Sequence, residues 1–315
     1  MDIVVFGAGS LGSLVGGALA RRHDVTLVAR AAHASAVRES GLRLTGQFDD
    51  RVRPAATADG RNLDADLVIV TVKSFDTVEA AETLSTGSFD AVLSLQNGMG
   101  NETTLADRLD CPVLAGTASY GAILRDSAVV ECTGIGEIVL GPREGGESRI
   151  ADRVGEAFDR AGLETVVAGD MPLRLWEKLA VNAGINAVTA LTRTENGAVL
   201  DADANALARA ATRETARVAR ASDVRLSNRA ALAAMDDVAA ATAANTSSMH
   251  QDLRADRRTE IDAINGYVVD RAAERRIDVP TNRVLTGLVR TWERGRGLRA
   301  ETGNSGSGKT SGTTP

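Results

Sequence analysis

The sequence predicts an α/β protein in two parts, a doubly wound, mostly parallel sheet followed by an all-helical domain. Three observations carry that expectation. A glycine-rich turn sits between a β-branched run and a helical run at the start of the chain. Further β-branched runs recur as far as Leu140. From about Met171 that pattern stops, and alanine-rich helical periodicity takes over. The boundaries read as 1–169 for the sheet domain and 170–296 for the helical domain. Residues 297–315 form a Gly/Ser/Thr-rich tail expected to be disordered.

The first element is Asp2-Ile3-Val4-Val5-Phe6, a short strand. It runs into Gly7-Ala8-Gly9-Ser10-Leu11-Gly12, then a helix over Leu14–Ala20, then a second strand over Val25–Ala29. A G-x-G-x-x-G string means little alone. Between a strand and a helix it marks the Rossmann-type dinucleotide site. Gly7 allows the tight turn, Gly9 lets backbone approach a pyrophosphate, and Gly12 lets helix pack close on strand. The helix N-terminus offers unpaired N–H groups to the phosphates. All six residues, Gly7, Ala8, Gly9, Ser10, Leu11 and Gly12, are therefore cofactor candidates.

Arg30 closes the second strand, where an NAD site usually carries Asp or Glu. A guanidinium suits a 2′-phosphate, so NADP is favoured and NADH stays open. His33 and Arg38 nearby either help or are solvated. Asp66–Val72 reads as a third strand, with Lys73 just past its carboxyl end. Ala91–Leu95 reads as a fourth, followed by Gln96-Asn97-Gly98-Met99-Gly100. Ligands of such sheets bind at the carboxyl ends of strands, which aims Lys73 and Asn97 at the cofactor. Asn97 also reads as a turn residue of an Asn-Gly pair. Val113–Gly116 and Glu137–Leu140 extend the same sheet.

In the second half, helices are expected over Ala202–Ala221 and Asn228–Ala244. Asp170 is placed to cap the helix that opens the domain. That helix carries Trp176-Glu177-Lys178-Leu179, then Asn182 and Asn186. Lys178, Asn182 and Asn186 recur every four residues and share one face of an otherwise apolar helix. A ligand would satisfy such a row, and so would a polar network between helices. Ser247-Ser248-Met249 follows, then Thr259-Glu260-Ile261-Asp262. One continuous helix would hold Ser248 and Glu260 about 18 Å apart. Thr259 and Asp262 resemble a capping box, so a new helix is expected there, folding Glu260 back toward Ser248. Glu260 also reads as a plain first-turn acid.

Composition narrows the function. The chain has 36 Lys+Arg against 42 Asp+Glu, a net charge of −6, and only 3% aromatic residues. It therefore advertises no nucleic-acid face. No apolar run is long enough to cross a membrane and no leader is evident, so a cytoplasmic protein is expected. Cys111 and Cys132 have neither metal nor redox spacing, and the three histidines are scattered, so no metal site is expected. Only three lysines occur, Lys73, Lys178 and Lys309, the remaining basic residues being arginine. Arginine replaces lysine on a solvated surface but cannot give up a proton, which draws attention to the two lysines outside the tail. Lys309 ends a Gly303–Thr310 string of phosphate-loop form with no strand before it, and the motif is rejected.

Taken in order over residues 1–295, Gly7–Gly12, Gln96–Gly100, Trp176–Leu179 with Asn182 and Asn186, Ser247–Met249 and Thr259–Gly266 resemble the ketopantoate reductase (2-dehydropantoate 2-reductase) family. The resemblance implies reduction of 2-dehydropantoate to (R)-pantoate with NADPH, on the route to pantothenate and coenzyme A. It implies Lys178 as general acid, with Glu260 orienting the lysine or the substrate's hydroxyl. It implies that Asn97, Asn182, Asn186, Asn196 and Ser248 bind substrate. Lys73, Asn97, Ala122 and Glu260 would line the cofactor or shared active site, and Arg30 would meet the 2′-phosphate. The partner is then a small 2-keto acid, and a homodimer stays open. The alternatives are a reductase of another branched 2-keto acid and a non-catalytic NADP-sensing protein on the same fold.

Overall fold

The computed structural model describes residues 1–300. Most of the expected tail, with Lys309 and the Gly303–Thr310 string, lies outside the described residues.

The sheet domain runs β1 (Asp2–Phe6), α1 (Ser10–Leu19), β2 (Asp24–Val28), α2 (Ala31–Ser40), β3 (Leu42–Gly46), β4 (Asp50–Val52), β5 (Ala55–Thr57), β6 (Asp64–Val70), α3 (Thr77–Leu84), β7 (Ser88–Ser94), α4 (Asn101–Ala106), β8 (Val113–Ala118), β9 (Gly121–Asp126), β10 (Val129–Gly134), β11 (Ile138–Pro142), α5 (Arg149–Arg160) and β12 (Thr165–Val167). Eight strands form one sheet in the order β12-β11-β8-β7-β6-β1-β2-β5. All neighbours are parallel except β11, which runs against β8. Successive side chains of a strand point to opposite faces, and here each face is buried in its own core. Ile3, Val5, Leu67 and Ile69 join Leu14 and Leu27 on one side. Val4, Val68, Val70 and Val92 join Leu84 and Leu105 on the other. Burial on both faces explains the unbroken apolar runs of β1 and β6.

The extension of the sheet by β8 and β11 agrees with expectation, and a second sheet stands beyond it. This sheet has the order β4-β3-β10-β9 and lies over α1. Gly17 of α1 makes room for it, since a Cβ there would stand 2.7 Å from Leu44 and 2.9 Å from Leu42.

The helical domain comprises α6 (Met171–Thr192), α7 (Ala202–Ala221), α8 (Asn228–Ala241), α9 (Ser248–Arg254), α10 (Tyr267–Glu274) and α11 (Pro280–Gly295). Helix α6 is central, with α7, α8, α9 and α11 packed around it. Its Gly184 sits so close to α7 that a Cβ would be 2.4 Å from Thr212 Oγ1. Small residues on α7, including Ala208 and Ala211, complete that approach. Among the described residues no helix is long and apolar enough to cross a membrane.

Three local expectations need correction. Asp170 does occupy the N-cap position of α6, but caps nothing, because its carboxylate instead accepts from Arg174 Nε at 2.7 Å. The Thr259 capping box is half formed. Thr259 Oγ1 accepts from Ile261 N–H, whereas Asp262 turns away to Arg290 at 2.7 Å, and the chain passes through one wide π turn (Asp262–Gly266) before α10. The first tail residues are also tied down, with Leu298 N–H on Glu293 O and Arg299 paired with Glu293 at 2.8 Å.

Candidate active site

The glycine-rich turn is built by unequal demands. Gly7 leaves β1 at φ +100°, and a Cβ there would stand 2.6 Å from Val72 Cγ1. Its N–H and that of Ala8 both donate to Val28 O, at 3.0 and 2.9 Å. A Cβ on Gly12 would collide with Thr71 Oγ1 at 2.4 Å. Gly9 differs, because a Cβ there would meet nothing closer than Gly7 O at 3.8 Å. Packing within the chain does not ask for glycine at this position. Gly9 is the N-cap of α1, and no side chain caps that helix. Free N–H groups at a helix N-terminus, with space kept by a missing Cβ, fit a pyrophosphate. Leu11 packs inward against the core. Ser10 Oγ accepts from Leu124 N–H at 3.0 Å, so its hydroxyl ties the turn to β9, the strand that carries half-buried Ala122.

Arg30 is exposed at the end of β2. It lies with Arg258 in Coulombic reach of Asp76, whose carboxyl is pushed up by burial and by Glu79. His33 is buried and bonded, whereas Arg38 is exposed and makes one bond. Ala128 N–H donates to His33 Nδ1 at 3.1 Å, which leaves Nε2–H to donate to Ser13 Oγ at 3.1 Å, and burial holds the ring's pKa down. Arg38 donates to Ala56 O at 3.0 Å.

Lys73 follows β6 and reaches across to the helical domain. Its ammonium donates to Asp252 at 2.7 Å and to Glu260 at 3.3 Å, while Ser74 N–H donates to the other Glu260 oxygen at 3.1 Å. Burial lowers the Lys73 pKa, but the two carboxylates outweigh it and the net direction is up. Glu260, 5% exposed, is thus held by Lys73 and Ser74 rather than by Lys178. Asp252 joins this group without having been singled out in the sequence. A signal for it exists, because Asp252 lies four residues after Ser248 on the same helix. Ser247, the N-cap of α9, bonds Thr189 of α6 at 2.8 Å and so sets exposed Ser248 beside the polar row. The chain does turn back after α9, since Asp252 and Glu260 meet on one ammonium.

On α6, Lys178 Nζ donates to Ala118 O at the end of β8, at 3.1 Å. Burial lowers its pKa to about 8, and Glu260 and Glu102 only partly restore it. Asn182 is half-buried and Asn186 buried, and among the described residues neither amide has a bond within the chain. A half-buried Asn97 follows β7, and the turn it opens is pressed against the helical domain. Met99 N–H donates to Ala263 O at 3.0 Å, and a Cβ on Gly98 would touch Ala263 Cβ at 2.5 Å. Asn196 bonds Thr242 Oγ1 at 3.0 Å through its amide nitrogen, and its Oδ1 is buried without a partner among the described residues. The structure therefore joins Lys73 to Glu260 between the domains and keeps Lys178 in Coulombic reach of Glu260, with Asn182 and Asn186 following Lys178 on the same helix face, Ser248 one residue past the Ser247–Thr189 bond and Asn97 just past the end of β7. Neither Cys111 nor Cys132 is in a disulfide among the described residues.

Comparison with known proteins gives the family. A family model described as Ketopantoate reductase PanE/ApbA matches residues 3–145, and one described as Ketopantoate reductase PanE/ApbA C terminal matches residues 170–293. A 2-dehydropantoate 2-reductase of Halobacterium salinarum is 43% identical over 304 residues, covering 93% of this chain and 99% of that protein. One of Archaeoglobus fulgidus is 38% identical over 299 residues, covering 93% and 98%. A solved PanE/ApbA family ketopantoate reductase from Ralstonia eutropha JMP134 superposes with TM-score 0.87 at 35% identity, over 94% of this chain and all of that one. A D-mandelate dehydrogenase solved with NADH and anilino(oxo)acetate shares the fold at TM-score 0.88 and 22% identity. With both domains matched and relatives above 30% identity along nearly its whole length, this chain belongs to the ketopantoate reductase (2-dehydropantoate 2-reductase) family.

Proposed function

We propose that this protein reduces 2-dehydropantoate to pantoate with NADPH, a step toward pantothenate and coenzyme A. One observation carries the reading: a single face of α6 presents a lysine whose pKa is lowered to about 8, followed at one-turn intervals by two amides with no partner among the described residues. NADPH would supply the hydride, its pyrophosphate held by the Gly7–Gly12 turn and its 2′-phosphate met by Arg30. As hydride adds to the ketone carbon, negative charge grows on the oxygen. A Lys178 ammonium at that oxygen stabilises the charge and delivers the proton. Burial makes it a better acid than a free lysine while leaving it charged at neutral pH. Asn97, Asn182, Asn186 and Ser248 offer donors for the substrate's carboxylate and hydroxyl, and Glu260 orients the site through Lys73.

The test follows NADPH and NADH oxidation against a panel of 2-keto acids that includes ketopantoate. Ketopantoate with NADPH is expected to give the highest kcat/KM. Lys178→Gln is expected to lower kcat by about 10²–10⁴-fold while NADPH binding survives. Wild-type turnover in that variant would remove Lys178 from the acid role.

A further inference from the structure

A cavity of about 500 Å³ opens in the helical domain, and none of the residues proposed for catalysis or substrate lines it. Three helices end around it. Arg193 is the C-cap of α6, Arg254 stands in the last turn of α9, and Arg296 is the C-cap of α11. Helix α9 turns different faces to the two places. Ser248 and Asp252, four residues apart, share one face, while His250, Leu253 and Arg254 line the cavity.

The cavity wall is basic in a chain whose net charge is −6. Asp256 is the single carboxylate among the lining residues, and Arg296 takes it in an ion pair. Arg193 and Arg254 make no side-chain hydrogen bond or ion pair among the described residues. Helix C-termini favour cations, which would account for arginines bonded to the last carbonyls. These two bond no carbonyl. The backbone of Arg193 is also left-handed, φ +57° and ψ +39°, at a position where helices usually carry glycine. The chain accepts that strain for a guanidinium with no partner among the described residues.

The other lining residues add a buried polar group and an apolar side. His250, 6% exposed, donates from Nδ1–H to Thr194 O at 3.0 Å, so its Nε2 has no partner among the described residues. Leu253 is buried, and half-buried Trp292 lies under the Arg296 guanidinium at 5.1 Å.

We propose that this cavity is a second ligand site, for a phosphate monoester with an aromatic body the size of a nucleoside monophosphate. Two unpaired guanidinium forks on separate helices can share the three free oxygens of one phosphate group, more than the two oxygens of a carboxylate offer. His250 Nε2 accepts from a phosphate O–H or, when protonated, donates to a phosphate oxygen. Leu253 and Trp292 receive the aromatic body. The volume falls in the range of ligand pockets, about 300–1,000 Å³. The inference goes beyond the reductase reading and does not depend on which keto acid is reduced.

The experiment is calorimetric titration of adenosine 5′-monophosphate into full-length enzyme saturated with NADPH, with NADPH fluorescence followed in parallel. One equivalent is expected to bind while NADPH is retained, and inorganic phosphate, which lacks the aromatic body, should bind at least about tenfold more weakly. Arg193→Gly and Arg254→Gln should each weaken the nucleotide at least about tenfold. Arg193→Gly should also melt no lower than wild type, because glycine suits the left-handed backbone there. The proposal is overturned if the nucleotide does not bind, or if it displaces NADPH, since it would then occupy the cofactor turn. It is also overturned if neither variant changes the affinity. Equal binding of inorganic phosphate would remove the aromatic body. A lower melting temperature in Arg193→Gly, with nucleotide affinity unchanged in Arg254→Gln, would make Arg193 a structural partner of its own helix end and sink the site.

Discussion

At the scale of single residues, the acid role proposed for Lys178 follows from its burial. An ammonium at the end of a buried helix face, with one carbonyl as hydrogen-bond partner, is poorly solvated, and its pKa falls from 10.5 to about 8. The reduction needs the charged form, so kcat is expected to stay level below that pKa and to fall as pH rises through about 8, as measured with saturating NADPH and keto acid. Stability has the matching sign. Between about 8 and 10.5 the unfolded chain holds a proton that the native lysine has lost, so stability rises with pH across that window. Below about 8 the full cost of the buried charge is present, and at about 1.4 kcal/mol per unit it amounts to roughly 3 kcal/mol. Lys178→Met should therefore unfold at higher urea concentration than wild type at pH 7, while being inactive. A variant less stable than wild type would mean that the ammonium is better compensated than its surroundings indicate. Composition alone points to this residue, since a chain that uses arginine almost everywhere keeps lysine at this helix position.

At the scale of elements, the glycine-rich turn separates two reasons for a missing Cβ. Gly12 is required by the fold, whereas Gly9 has open space around it. Gly12→Ala should then cost about 1–3 kcal/mol of stability through overpacking. Gly9→Ala should leave the melting temperature unchanged and weaken NADPH binding at least tenfold, or about 1.4 kcal/mol. Calorimetry and cofactor titration on the two variants check this, and equal effects would contradict it. The same distinction explains what is legible in the sequence. Strands β1 and β6 and helix α6 carry long, one-signed patterns because both faces or a whole stripe are buried, and such patterns are readable at once. The second sheet is not. Its strands are short and expose Arg43, Arg51, Arg125 and Asp126, so their fully apolar half is a scatter of single residues, Leu42, Leu44, Val52, Val130 and Cys132. Asp170 and Thr259 invite local capping rules, and there a distant or neighbouring cation overrides the local preference. Asn196 rests on resemblance only, and its amide turns toward Thr242.

At the scale of the whole molecule, the two domains are joined over the site by bonds whose pairing a linear pattern does not encode. The order of the segments is legible; that Lys73 takes both Asp252 and Glu260 is not, because the partners lie 179 and 187 residues away. This cluster holds one ammonium between two nearly buried carboxylates, with Arg257 reaching Asp252 from outside at 3.1 Å. It also fixes Glu260 through Ser74 N–H, so the same contacts that join the domains hold a residue proposed for the site. Removing the lysine leaves two carboxylates facing each other with one exposed arginine to balance them, and a charge buried without its partner is expensive. The lysine side chain is 36% exposed, so water screens part of that cost. Lys73→Met and Glu260→Gln should each destabilise the protein, and the double variant should cost less than the sum by about 1 kcal/mol, because the second change removes the charge that the first left stranded. A urea-unfolding double-mutant cycle at pH 7 reads that coupling directly. Additive costs would mean that Lys73 and Glu260 are neighbours without being partners, and the orientation of Glu260 would then have to come from Ser74 N–H alone.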